Sequence, residues 1–67
     1  MRIYKVAGFN ESTGQMTTKW SSNKDDAASD RQEMRSEGVK NKDIRTHAID
    51  FKPTKAGFLD MLNDYAN

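Results

Sequence analysis

His47 is the only histidine in the chain. A histidine that acts as a general base or a metal ligand needs partners. Asp50 stands three residues on, but along a strand an odd spacing sends two side chains to opposite faces. Asp25, Asp26 and Asp30 cluster carboxylates without the spacing of a calcium loop. Acids at the start of a helix are stabilised by its dipole and need no ion. The chain has no cysteine, and it contains no Gly-rich phosphate loop, nucleophile elbow or HExxH. These residue types point away from an enzyme, a metal site or a cofactor, and towards binding.

Two charged sets could carry binding. Asp26, Asp30, Glu33 and Glu37 recur at helical spacing, which sets successive carboxylates about 5–6 Å apart along the axis. On the helix they are expected roughly opposite the apolar side, as a solvated face, a docking surface for a basic protein partner, or a mimic of nucleic-acid phosphates. The second set is Lys5, Lys19, Lys40, Lys42 and Arg45 with the aromatic Trp20. Lys5 and Lys19 are expected as cross-strand neighbours, and a sheet face that mixes basic and aromatic groups would contact nucleic acid. Eleven Lys and Arg against ten Asp and Glu leave a formal charge of +1. That excludes a chain-wide polycation, so nucleic-acid binding would need a local patch.

These residues must be positioned by a small number of elements. Arg2 to Phe9 reads as a strand with apolar groups on both faces: Ile3, Ala7 and Phe9 on one, Tyr4 and Val6 on the other. That pattern suits the centre of a sheet. Asn10 to Gln15 is a turn containing Gly14. Met16 to Ser21 is a shorter, more polar strand, suited to an edge, with Met16, Thr18 and Trp20 on one face. Ser22 is expected to cap a helix from about Asn23 to Glu37, ended by Gly38 with Val39 supplying the apolar contact of a Schellman motif. Ala27, Arg31 and Met34 mark its inner side at about 100° per residue. Arg31 and Arg35 are expected to lay their stems on the sheet.

Ile44 to Phe51 reads as a third strand, with Ile44, Thr46 and Ala48 alternating with Arg45, His47, Ile49 and Phe51. The closing helix, over 54–66, is capped by Thr54 and carries Phe58, Met61, Leu62 and Tyr65 on one stripe, widened by Leu59 and Ala66. Leu62 is expected beneath the sheet. The fold class is α+β: a ββαβα two-layer sandwich with a three-stranded antiparallel sheet in the order 2-1-3 and two helices, forming one domain over residues 1–67.

Sixty-seven residues with 34% apolar content bury little surface, and such a chain gains stability from a partner or from its own dimer. Edge strands with spare apolar groups such as Leu59 and Trp20 suggest a homodimer. No apolar run is long enough to span a bilayer, and Met1-Arg2-Ile3-Tyr4-Lys5 does not form a secretory h-region. With no disulfides, a soluble, cytoplasmic protein is expected.

From Tyr4-Lys5-Val6 through Asp25-Asp26-Ala27-Ala28 and Gly38-Val39-Lys40 to Pro53-Thr54-Lys55-Ala56-Gly57-Phe58-Leu59, the chain resembles the small orphan open reading frames of tailed bacteriophages. The resemblance implies an accessory protein that binds a host or phage macromolecule, in the manner of inhibitors of host defence or transcription. Thr13-Gly14-Gln15 through Trp20-Ser21 to Lys24-Asp25-Asp26-Ala27 is similar to the sheet-then-helix pattern of arm-type DNA-binding domains of tyrosine recombinases. That similarity implies DNA contact, although here Lys19 is the sole basic residue between Gly14 and Ser22 and a further strand and helix follow. If the acidic stripe is the docking surface, reversing Asp30 and Glu33 to Lys slows association with the partner without unfolding the chain, measured by stopped-flow mixing at low salt.

Overall fold

The computed structural model describes residues 1–65. Its elements are β1 (Arg2–Asn10), β2 (Gln15–Ser21), α1 (Lys24–Ser36), a short 3-10 turn (Asn41–Asp43), β3 (Ile44–Asp50) and α2 (Lys55–Tyr65). The strands form one antiparallel sheet in the order β2-β1-β3, as the sequence predicts. β1 is therefore hydrogen-bonded on both sides, and its two apolar faces are both used.

The turn between β1 and β2 closes through the Gly14 amide, which donates to the Asn10 carbonyl at 2.7 Å. This pairs Asn10 with Gln15 and fixes every register position behind it. Lys5 falls opposite Trp20, and Lys19 opposite Val6. The expected Lys5–Lys19 pairing is thus corrected, since the two side chains leave opposite faces of the sheet.

One face is closed by α1. Val6, Ala27, Met34, Val39 and Ile44 form the buried cluster, with Tyr4 against it. The contact is close because Gly8 has no side chain. A Cβ there would stand 2.9 Å from Met34 Sδ and 3.2 Å from Val39 Cγ1. α1 ends as the sequence predicts. Gly38 takes a φ of 102°, its amide donates to the Arg35 carbonyl, and the Val39 amide donates to that of Met34 at 3.0 Å. These are the paired bonds of a Schellman ending, and they deliver Val39 into the core. The start differs by one residue. Asn23, not Ser22, is the cap, its side-chain oxygen accepting from the Asp26 amide at 2.8 Å. Either residue type can make that bond. Arg31 is half-buried, and its head donates to Thr46 Oγ1 and Asn41 Oδ1, while the exposed Arg35 also donates to Asn41.

The other face meets α2. The sheet and α1 make the two expected layers, and α2 lies at one end of the opposite face, where its Phe58, Met61 and Leu62 line a groove together with Ile3 and Trp20. Thr54 caps it, accepting from the Gly57 amide at 3.0 Å, and the Phe51 and Phe58 rings meet at 5.7 Å. Met61 is its buried residue, at 5% exposure, whereas Leu62 is only half-buried. The expectation for Leu62 is corrected: the two positions are about 100° apart on the helix, and it is Met61 that faces inward. Ala66, assigned to the same stripe by sequence, lies outside the described residues.

Met34→Ala is expected to cost about 2–5 kcal/mol, because Met34 is fully buried against Val6 and Val39. Leu62→Ala should cost less. Urea unfolding of the two variants checks the order, and an equal or larger loss at Leu62 would place the main core under α2.

Candidate binding face

Period-two alternation distributes the functional residues. The even positions of β1 face α1, and its odd positions, Ile3, Lys5, Ala7 and Phe9, face away. Register then places Trp20, Lys5 and His47 in one row across the sheet, Thr18, Ala7 and Arg45 in the next, and Met16 with Phe9 in the third. Neighbours within a row are about 4.8 Å apart and rows about 6.7 Å apart. Ile3 and Trp20 share a groove with Phe58, Met61 and Leu62 of α2. Phe9 is 39% exposed, Trp20 45% and Met16 65%.

None of the positions in these three rows is acidic. Lys5 Nζ stands 5.8 Å from the centroid of the Trp20 ring, within the range of a cation–π attraction. The Arg45 guanidinium donates to the Lys42 carbonyl at 2.7 Å, which fixes its base but neutralises nothing. Among the described residues, neither Lys5 nor Arg45 makes an ion pair. Beside Trp20 opens an apolar groove of about 270 Å³ lined by Ile3, Trp20, Phe58, Met61 and Leu62.

The remaining basic residues assigned by sequence lie elsewhere. Lys19 points to the α1 side and meets Glu33 at 2.6 Å. That hydrogen bond holds the Lys19 ammonium above the usual lysine range. Lys40 and Lys42 both reach Glu11 in the β1–β2 turn, at 3.1 and 3.8 Å, and their charges tie the loop after α1 to the hairpin. Of the six sequence-assigned residues, the structure gathers Lys5, Trp20 and Arg45 and separates Lys19, Lys40 and Lys42. It adds His47, Phe9 and Met16, which sequence reasoning did not assign to a site. Counting residues back from the Gly14 turn would have found Phe9 and Met16, since Asn10 opposite Gln15 sets Phe9 opposite Met16.

The acidic stripe is partly committed. Asp26 receives the Asn23 side-chain amide at 3.0 Å, Glu33 is paired with Lys19, and Asp30 is half-buried. The stripe lies on the flank of α1 beside β2 rather than on its outer side. At about 100° per residue the four acids sit roughly 40–100° from Met34, which is too close to the sheet for a free outer surface.

His47 and Asp50 leave β3 on opposite faces, as the spacing implies, and Asp50 pairs with Arg2 at 2.8 Å. Arg2 holds the Asp50 carboxyl below its ordinary range. No three side chains of the metal-ligating types converge among the described residues, and no helix among them is long and apolar enough to cross a membrane. No protein-family model, curated protein or solved structure matches the chain.

Lys40 is the first cause of a lowered pKa at Glu11, through its hydrogen bond, followed by the attraction of Lys40 and Lys42. Because the folded value lies below the unfolded one, the pair's contribution is present above the ordinary glutamate pKa. It is lost as pH falls through the lowered value. Lys40→Gln should move the Glu11 midpoint upward, read by carbon-detected NMR titration. A midpoint that does not move would mean the loop after α1 is not held to the hairpin by this pair.

Proposed function

We propose that this protein is a non-enzymatic binding module that captures another protein on the uncovered part of its sheet, modulating that partner by occupying its surface. The observation that carries the reading is the coincidence on one face of exposed Phe9, Met16 and Trp20 with the unpaired cations Lys5 and Arg45. Surface apolar groups scattered singly need no explanation, whereas a contiguous apolar patch rimmed by charge marks an interaction site. Aromatic residues, Met and Arg are also the types enriched at protein interfaces. The resemblance to small phage accessory proteins supports a partner of host or phage origin and an inhibitory or modulating role inside the host cell.

A second reading, nucleic-acid binding, is favoured by the same mixture of basic and aromatic groups. Its reach is limited by charge. Lys5 and Arg45 are the cations of this face, and two phosphate contacts would give a logarithmic salt slope of only about 1.4 for a single strand.

The expected outcome is that a photo-crosslinking residue at Thr18, on the open face, captures the partner, while the same residue at Gln32, on the exposed side of α1, does not. Lys5→Glu with Arg45→Glu should weaken partner binding at least tenfold with the thermal melt retained. Asp30→Lys with Glu33→Lys should leave it intact. Capture from Gln32 with binding lost in the acidic-stripe variant would move the interface to α1.

A further inference from the structure

We infer that the segment bound on this face is an extended acidic one with a single apolar anchor: a leucine-sized or aromatic side chain in the groove beside Trp20, and carboxylates at the second and fourth residues along. This inference rests on the binding reading above and names the chemistry of its partner.

The groove sets the anchor. Its walls are Ile3, Trp20, Phe58, Met61 and Leu62, and the polar edges of a nucleobase would find no partners among these side chains. Leaving such groups dry and unpaired is unfavourable, while an aliphatic or aromatic side chain loses nothing there and gains by leaving water. The Trp20 ring already carries the Lys5 ammonium 5.8 Å from its centroid, and in the groove it stands among apolar side chains only.

The sheet sets the spacing. Lys5 and His47 lie one row along from Ile3 and Ile49, and Arg45 one row further. Rows recur about every 6.7 Å, which is the repeat of alternate residues in an extended chain. A segment running along β1 therefore presents every second side chain to successive rows. An apolar group over the groove places its next same-side residue over Lys5 and His47, and the one after beside Arg45. With no acid in these rows, carboxylates at those positions meet the Lys5 ammonium and the Arg45 guanidinium. A second copy docked face to face would instead set one cationic face against another, so like charge disfavours an isologous dimer here.

Trp20 is the only tryptophan, so its fluorescence reads the groove directly. The probe is a short Ser-based synthetic peptide without tryptophan, carrying one leucine and aspartates two and four residues after it. The order-reversed peptide is run alongside, because the direction along β1 is open. Controls replace the leucine by alanine, replace both aspartates by asparagine, or substitute an oligothymidylate of similar length. The account expects a saturable change in Trp20 emission with at least one order of the parent peptide, weakened about tenfold or more by either peptide change. Lys5→Gln and Arg45→Gln should each erase the preference for aspartate over asparagine, and the oligothymidylate should bind more weakly than the peptide. Tighter binding of the oligothymidylate overturns the inference in favour of nucleic acid. No response to either peptide order, or an emission change that follows protein concentration alone, also overturns it. The binding reading survives those results if Thr18 still cross-links a protein partner, and falls with the inference if it does not.

Discussion

A central strand hydrogen-bonded on both sides must hand its side chains to two faces, and one helix can cover only one of them. β1 meets that constraint with unequal means. Its Val6 and Gly8 positions receive α1 so closely that Gly8 has no room for a methyl group against Met34. Its opposite positions, from Lys5 to Phe9, receive no helix. α2 shares a groove with Ile3 and Trp20 at one end of that face, and Met61 is its one buried side chain. The same alternation that builds the core therefore leaves the other half of the sheet open.

Charge follows the same division. On the α1 side and around the loops, acids and bases meet: Lys19 with Glu33, Lys40 and Lys42 with Glu11, and Arg2 with Asp50. All are surface pairs, worth little individually in stability. Their larger effect is on the map of charge. They pair Lys19, Lys40, Lys42 and Arg2 with acids, and leave Lys5 and Arg45 outside any ion pair among the described residues. A nearly neutral chain thereby acquires a face of one sign, set beside an apolar groove.

The fold was largely legible because its signals are local. Gly38 and Val39 spell out the helix ending, Thr54 the start of α2, and the two-sided apolar pattern of β1 its central place. What the sequence did not show depends on geometry beyond a few residues. Ser22 and Asn23 are both competent caps, and only the path out of β2 selects Asn23. Met61 and Leu62 are both apolar on one stripe, and only the seating of α2 on the sheet decides between them. The candidate face is half legible in the sequence. Residue type alone singles out Trp20, Lys5 and Arg45, but only the register, with Lys19 opposite Val6 and His47 opposite Lys5, separates Lys19 from them and adds His47. The acidic stripe is expected opposite Ala27 and Met34, but with those two inward the helical period itself sets the acids about 40–100° from Met34, on the flank.

Among the described residues, none covers the sheet face on which Phe9, Met16, Thr18, Arg45 and His47 stand exposed. Solvent paramagnetic relaxation measures this directly, by adding a neutral gadolinium chelate to the isolated protein and following side-chain NMR signals. The account predicts strong relaxation of the Phe9, Met16 and Thr18 side chains and protection of Val6, Ala27 and Met34. Phe9 and Met16 protected as fully as Val6 would contradict it, because the face would then already be closed.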